Sequence, residues 1–330
     1  MIVTPSPPRK KGEGTEGRRE PFMPPSTLAA LATDVLVQGL AADRSASVAT
    51  PTPAPFDVDD DDGGMEATMY KHLREGERTV KPYLARQPDI TAKFREILVD
   101  WLAKVTQDWR LRPETLHLTV NLVDRFLFLR SIPRTDLQLV GVTALFIASK
   151  YEEIYAPDLT LNFVHITDRA YLEDRILEFE AIMLEALDYR LTTPSSLCFA
   201  HRFVKAARLD SNSPAAAIAF YMVDRALQEY TIMTGFKPST IAAAAVHVAM
   251  RRLGMRTWSP TLAFHTGATE DDLHACGRAL AKMAAEAQHN PLVAVRDHYR
   301  TAKHFNVGDL VWEGGGNDFV AWFKKVTTTT

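Results

Sequence analysis

Leu137-Gln138-Leu139-Val140-Gly141-Val142-Thr143-Ala144-Leu145-Phe146-Ile147-Ala148 is the stretch on which the fold turns. Its apolar residues are distributed nearly all round a helix of 3.6 residues per turn, and a helix without a polar face has to be enclosed by others. Asp136, just before it, is placed to act as N-cap. Lys150, just after it, stands where a cation meets the negative end of the helix dipole.

The neighbouring segments supply the enclosure. Upstream, Pro113 opens a helix in the first turn, where its missing N–H costs nothing. That helix carries Leu116, Val120, Val123 and Leu127 and stops before Pro133. Before it, Glu96 to Trp109 puts Ile97, Leu98, Trp101, Leu102 and Val105 on one face. Downstream, a short helix at Leu159–Val164 and a longer one at Leu172–Leu187 complete five. From residue 64 onward no stretch shows sustained period-two alternation, so the expectation is an all-α protein. The pattern then recurs. Val123-Asp124-Arg125-Phe126-Leu127 returns 100 residues later as Val223-Asp224-Arg225-Ala226-Leu227, and the apolar helix returns as Ile241 to Ala249. Pro194, Pro214, Pro238 and Pro260 punctuate the second set as Pro113, Pro133 and Pro157 do the first. Two successive five-helix units, each wrapped on a central apolar helix, are predicted.

Residues 1–63 differ in kind. They hold nine of the nineteen prolines and six Lys/Arg against ten Asp/Glu, and they end in Asp57-Val58-Asp59-Asp60-Asp61-Asp62. With one weak helical stretch, Ser26 to Leu40, this tail lacks the apolar surface to order its backbone and is expected to be disordered. Thr4, Ser6, Thr50 and Thr52 each precede proline, as a proline-directed kinase requires; a Pro-rich linker also yields such pairs by chance. Gly12-Glu13-Gly14-Thr15-Glu16-Gly17 matches a dinucleotide fingerprint in form only, because no strand precedes it and two glutamates would repel a phosphate.

Whole-chain composition narrows the function. The 330 residues are 46% apolar with a net charge of −3, which disfavours a dedicated nucleic-acid binder. Two cysteines, Cys198 and Cys276, make neither a zinc ribbon nor a disulfide framework. The opening residues do not form a signal peptide, and apolar runs of about a dozen residues are too short to span a bilayer. A soluble protein of a reducing compartment is expected. No His-Glu-x-x-His, Cys-x-x-Cys, P-loop or Gly-x-Ser-x-Gly occurs. Glu152 and Glu153 are adjacent, but successive helix positions point about 100° apart and do not converge as an acid/base pair. His247 reads as a hydrogen-bonded core residue. The expectation is a non-catalytic protein with no cofactor or metal.

Phe94-Arg95-Glu96-Ile97-Leu98-Val99-Asp100-Trp101-Leu102 resembles the signature of the A- and B-type mitotic cyclins. So do Gln87-Pro88-Asp89-Ile90-Thr91, Glu114 to Leu118, Leu137 to Gly141, Ala148-Ser149-Lys150-Tyr151-Glu152-Glu153-Ile154-Tyr155 and Tyr299 to His304, all in family order over roughly residues 68–307. The resemblance implies two tandem five-helix cyclin boxes: an N-terminal helix and first box at 64–192, a second box with a C-terminal helix at 193–307, and a tail at 308–330. It implies a regulatory subunit that binds and activates a cyclin-dependent serine/threonine kinase in the cell cycle. Lys150 and Glu180 match positions that grip the kinase, with Tyr189, Met69, Tyr151 and Glu153 beside them; an intramolecular Lys150–Glu180 ion pair is the alternative.

Phe94, Ile97, Leu98, Trp101, Arg134, Leu137 and Gln138 match the family's groove for Arg-x-Leu peptides of substrates and inhibitors. Two departures stand out. Phe94 replaces the usual methionine, and Lys104 falls where A-type members carry a glutamate, so a retained groove with altered peptide preference is expected. The tail has no Arg-x-x-Leu or Lys-Glu-Asn destruction signal. Arg95–Leu98, Arg134–Leu137 and Arg169–Leu172 have the spacing but read as structural. Nuclear and cytoplasmic residence follows from the resemblance alone, since Arg9-Lys10-Lys11 and Arg18-Arg19 make a poor import signal. Nucleic acid, membrane and homo-oligomeric partners are not expected. The competing readings are a transcription-factor-like binding module and a scaffold that binds without activating.

Overall fold

The computed structural model describes residues 63–255 and 258–310, with side chains from residue 68 onward. The tail with Thr4, Ser6, Thr50 and Thr52, the Ser26–Leu40 stretch, the glycine-rich run, the basic clusters and nearly all of 308–330 lie outside the described residues.

Every regular element among the described residues is helical. An N-terminal helix, α1 (Gly63–Gly76), precedes the first unit: α2 (Ala92–Asp108), α3 (Pro113–Leu129), α4 (Leu137–Glu152), a π-helical turn (Leu159–Val164) and α5 (Glu173–Ala186). The second unit has α6 (Ser196–Ala206), α7 (Pro214–Ala226), a short α8 (Tyr230–Gly235), α9 (Pro238–Arg252), α10 (Pro260–Thr266) and α11 (Glu270–Glu286), followed by α12 (Ala294–His298). The apolar stretches behave as their composition requires. Leu139 to Ser149 of α4 and Ile241 to Met250 of α9 are buried without interruption, each enclosed by its own unit.

Helix starts follow local chemistry. Ser195, Ser213, Ser259 and Thr269 each accept a hydrogen bond from an amide of the helix they open. Thr91 does the same for α2, which therefore begins at Ala92, four residues ahead of the expected Glu96. Asp136 departs from expectation. A 3-10 turn, Arg134–Asp136, runs directly into α4, and the Asp136 carboxylate accepts from Thr135 Oγ1 at 3.2 Å instead of capping the helix.

The repeated Val-Asp-Arg motif supplies two buried polar hubs. Asp124 accepts from Arg95 Nε and Nη2 at 2.7 Å each and from the Tyr83 hydroxyl at 2.8 Å. Burial by itself would lower the Arg95 pKa, but the Asp124 carboxylate more than offsets this and raises it. Asp224 accepts from the Tyr299 hydroxyl at 2.8 Å and meets His117 Nε2 at 2.9 Å. Both hubs join the units. Arg95 Nη1 also donates to the carbonyls of Leu227 and Gln228 at the end of α7, and His117 reaches Asp224 from α3.

Helix α1 docks on the second unit. Tyr70 packs edge-on against Phe199 and Phe203, Arg74 donates to the Thr266 carbonyl, and Glu77 just beyond the helix accepts from Ser239 N and Oγ at 3.1 and 3.0 Å. The cysteines are free, and burial pushes the Cys276 thiol up to about 12. His247 is the hydrogen-bonded core histidine expected, its Nε2 2.9 Å from Glu270.

Candidate functional site

The first surface lies where α4 ends. Lys150 occupies the last turn, its Nζ 4.0 Å above the Phe146 ring and paired with the Glu180 carboxylate of α5. The intramolecular ion pair is therefore made in the free chain. The Tyr151 ring is half exposed while its hydroxyl meets that of Thr192 at 2.5 Å. Tyr189, three residues past α5, is exposed and held in the left-handed backbone region at φ 53°. Met69 is exposed on α1.

Glu153, which the resemblance places beside the kinase grip, has partners within the chain. Its Oε1 accepts from Arg112 N at 2.8 Å and Thr115 Oγ1 at 2.5 Å, satisfying donors at the start of α3. Burial raises the pKa of the neighbouring Glu152, with Arg112 opposing and the charges of Glu114 and Glu153 adding. Sequence reasoning missed Ile154 and Tyr155, which are 90% and 91% exposed just past Lys150. The available signal was two large apolar residues just beyond a helix end, outside any helical periodicity.

The second surface is a groove of about 240 Å³ lined by Phe94, Ile97, Leu98, Trp101, Arg134, Leu137 and Gln138. All seven residues read from the sequence come together. Leu98 and Leu137 are buried and form its floor, whereas Ile97 is 47% exposed on its wall. The Arg134 guanidinium stacks 3.9 Å from the centre of the Phe94 ring. Gly141 of α4 sits under this floor: a Cβ there would lie 2.6 Å from Leu98 Cδ1, so the glycine sets the approach of α2 to α4. Lys104 pairs with Asp108 one helical turn on, at 2.7 Å, and lines an adjacent cleft rather than the groove.

The three Arg-x-x-Leu spacings have different surroundings. Arg95 is fully buried, in keeping with a structural role, whereas Arg134 is exposed and lines the groove. Arg169 and Leu172 are exposed in the turn before α5. Among the described residues no group of three or more His, Cys, Asp or Glu is placed to hold a metal ion, and no helix is long and apolar enough to cross a membrane.

Both halves of this architecture match known domains. Residues 67–192 match "Cyclin, N-terminal domain" and residues 194–311 match "Cyclin, C-terminal domain". Cyclin-B1-4 of Arabidopsis thaliana is 36% identical over 278 residues, covering 81% of this chain and 71% of that protein. G2/mitotic-specific cyclin-B of Hydra vulgaris is 38% identical over 241 residues, covering 72% and 66% respectively. Cyclin-A1-1 of Arabidopsis thaliana is 40% identical over 245 residues, covering 72% and 53%. The chain thus spans between about half and seven-tenths of the length of these relatives. In fold it is similar to a viral cyclin from herpesvirus saimiri (TM-score 0.56, 16% identity, 66% of this chain and 95% of that one). It is also similar to a chain of the yeast RNA Pol II CTD kinase CTDK-1 complex (TM-score 0.51, 12% identity, 71% and 81%). With tandem helical units around α4 and α9, matches to both cyclin domains, and relatives of A and B type alike, the chain belongs to the cyclin family.

Proposed function

We propose that this cyclin binds and activates a cyclin-dependent serine/threonine kinase in cell division, and recruits substrates or inhibitors through the α2–α4 groove. The observation that carries the first part is the exposure of Ile154 and Tyr155 beside the Lys150–Glu180 pair. Large apolar side chains flanking a charged pair have the composition of an interface centre with polar anchors. The chain supplies a surface and the kinase supplies the chemistry. Helix α4 is held rigidly by its unit, so a kinase helix docked at its C-terminal end is pressed into one position. There its glutamate pairs with the strand lysine that holds the ATP phosphates.

Making this interface requires Lys150 and Glu180 to exchange partners. A partly exposed ion pair contributes only about 0–1 kcal/mol, so the exchange costs little. The purified full chain, mixed with a cyclin-dependent kinase and a Ser/Thr-Pro substrate, is expected to be retained on the kinase and to raise its activity. Lys150→Ala with Glu180→Ala should abolish both. A double variant that still activates would overturn the assignment of this surface.

A further inference from the structure

Between the two units runs a helix-free segment, residues 190–195, carrying Thr193-Pro194. The other described Ser/Thr-Pro pairs, Ser213-Pro214 and Ser259-Pro260, use their hydroxyls to cap α7 and α10. Thr193 is not used in this way. Its hydroxyl is half-buried and accepts one long hydrogen bond, 3.4 Å, from Arg125 Nη1.

Arg125 projects from α3 and also donates to the Arg190 carbonyl at 2.6 Å and to Asn121 Oδ1 at 3.4 Å. No carboxylate pairs with it among the described residues. Burial, and after it the charge of Arg78, lowers its pKa, which places a second guanidinium close by. Arg78 is exposed and makes no ion pair with any described residue, and the adjacent Glu77 is turned to Ser239. Arg78, Asn121, Thr193, Pro194 and Ser195 line one cleft between the units. Two guanidinium groups close enough to repel each other, with no acid paired to either among the described residues and the Thr193 hydroxyl in reach, form a receptor for an anion borne by that hydroxyl.

We propose that Thr193 is a phosphorylation site whose phosphate is held by Arg125 and Arg78. The donor is ATP and the catalyst a proline-directed kinase, for which Thr193-Pro194 in an extended segment is the minimal substrate. The Thr193 oxygen bonds to the γ-phosphorus, the bond from that phosphorus to the bridging oxygen breaks, and ADP leaves with the electron pair. The hydroxyl proton passes to the base of the kinase. The product carries roughly −1.5 to −2 charge and three acceptor oxygens. The cleft, about 30 Å³, has room for a water but not for a phosphate, so the group sits at its mouth where Arg78 is exposed. Charge-assisted hydrogen bonds there fasten the linker to α3 and to the segment after α1, one residue from the Thr192–Tyr151 contact. The inference does not depend on which partner the cyclin activates.

Two measurements on the full chain test it. Incubation with a proline-directed kinase and ATP, followed by peptide mass spectrometry, should place phosphate on Thr193 and none on a Thr193→Val variant. Genetic encoding of phosphothreonine at 193 then allows the phosphate to be titrated by phosphorus NMR. Its second ionisation is expected about one unit below the ordinary value near 6. That shift should shrink by half or more in Arg78→Met, a variant that removes an exposed side chain with no ion pair to lose. Thr193 modified only after the chain is unfolded, or a phosphate titrating at its ordinary value with or without Arg78, would overturn the proposal.

Discussion

Gly141 shows how one residue can set a binding surface. The Cβ of an alanine there would lie 2.6 Å from Leu98 Cδ1, and Leu98, on the opposed helix, is the floor of the groove. Helix α4 is enclosed and cannot retreat, so Leu98 must leave its rotamer or α2 must shift. Overpacking of this kind costs about 1–3 kcal/mol. Gly141→Ala should lower the urea midpoint by the corresponding amount and weaken apolar peptides in the groove, while leaving retention on a kinase intact. Unchanged peptide affinity would mean that the groove floor does not depend on this contact. At this scale the sequence was informative where a residue type is unusual for its place, as with Trp101 on the face of α2. It was uninformative where a polar side chain had several candidate partners: nothing in Tyr151-Glu152-Glu153 tells that Glu153 serves the start of α3, 41 residues away from Arg112.

Elements were more legible than their ends. Continuous apolarity identified α4 and α9 because a helix buried on all sides leaves no other composition, and proline marked four helix starts because it fits the first turn without loss. Ends depend on which nearby group satisfies the free amides, so Thr91 moved the start of α2 and a 3-10 turn displaced Asp136 from its capping role. Two helices of the second unit also make a pH prediction. His247 on α9 has a lowered pKa, chiefly from burial, with Glu270 partly countering it and Arg251 and His274 adding to it. His298 on α12 is lowered by burial and then by His304, with Asp224 opposing and Lys303 adding. Below the unfolded value near 6.5 the unfolded chain takes up protons that the folded chain refuses. Stability from these histidines is therefore complete above about pH 6.5 and is lost as pH falls towards their folded values. The melting temperature should drop between pH 7 and pH 5, and His298→Gln should flatten the slope; an unaltered slope would remove His298 from the account.

At the scale of the molecule, the question is whether two units of similar design unfold as one. Their repetition was readable in Val-Asp-Arg, but the use made of it was not, since each hub draws partners from far along the chain. Arg95 joins Asp124 to carbonyls more than 130 residues away, and Asp224 joins His117 of α3 to Tyr299 beyond α12. Burial first, and then Asp224, pushes the Tyr299 hydroxyl well above its ordinary range, so it remains a donor to the carboxylate. An aspartate that accepts from two other segments couples them only while both bonds exist. Asn at 224 offers one acceptor oxygen and turns an NH₂ group towards groups that donate. Each buried polar group left without its partner costs about 1–3 kcal/mol, and these losses fall at the junction of the units rather than within either core. In the wild-type chain, hydrogen exchange should therefore give α4 and α9 the same opening free energy, equal to that of global unfolding. In Asp224→Asn the two helices should separate, with one exchanging at lower cost than the other and the urea transition broadening into two steps. Equal protection of α4 and α9 in that variant would assign the coupling to the bonds that remain between the units, those of Arg95 to the Leu227 and Gln228 carbonyls and those of Asp100 to Gln228 and the Ala294 amide among them.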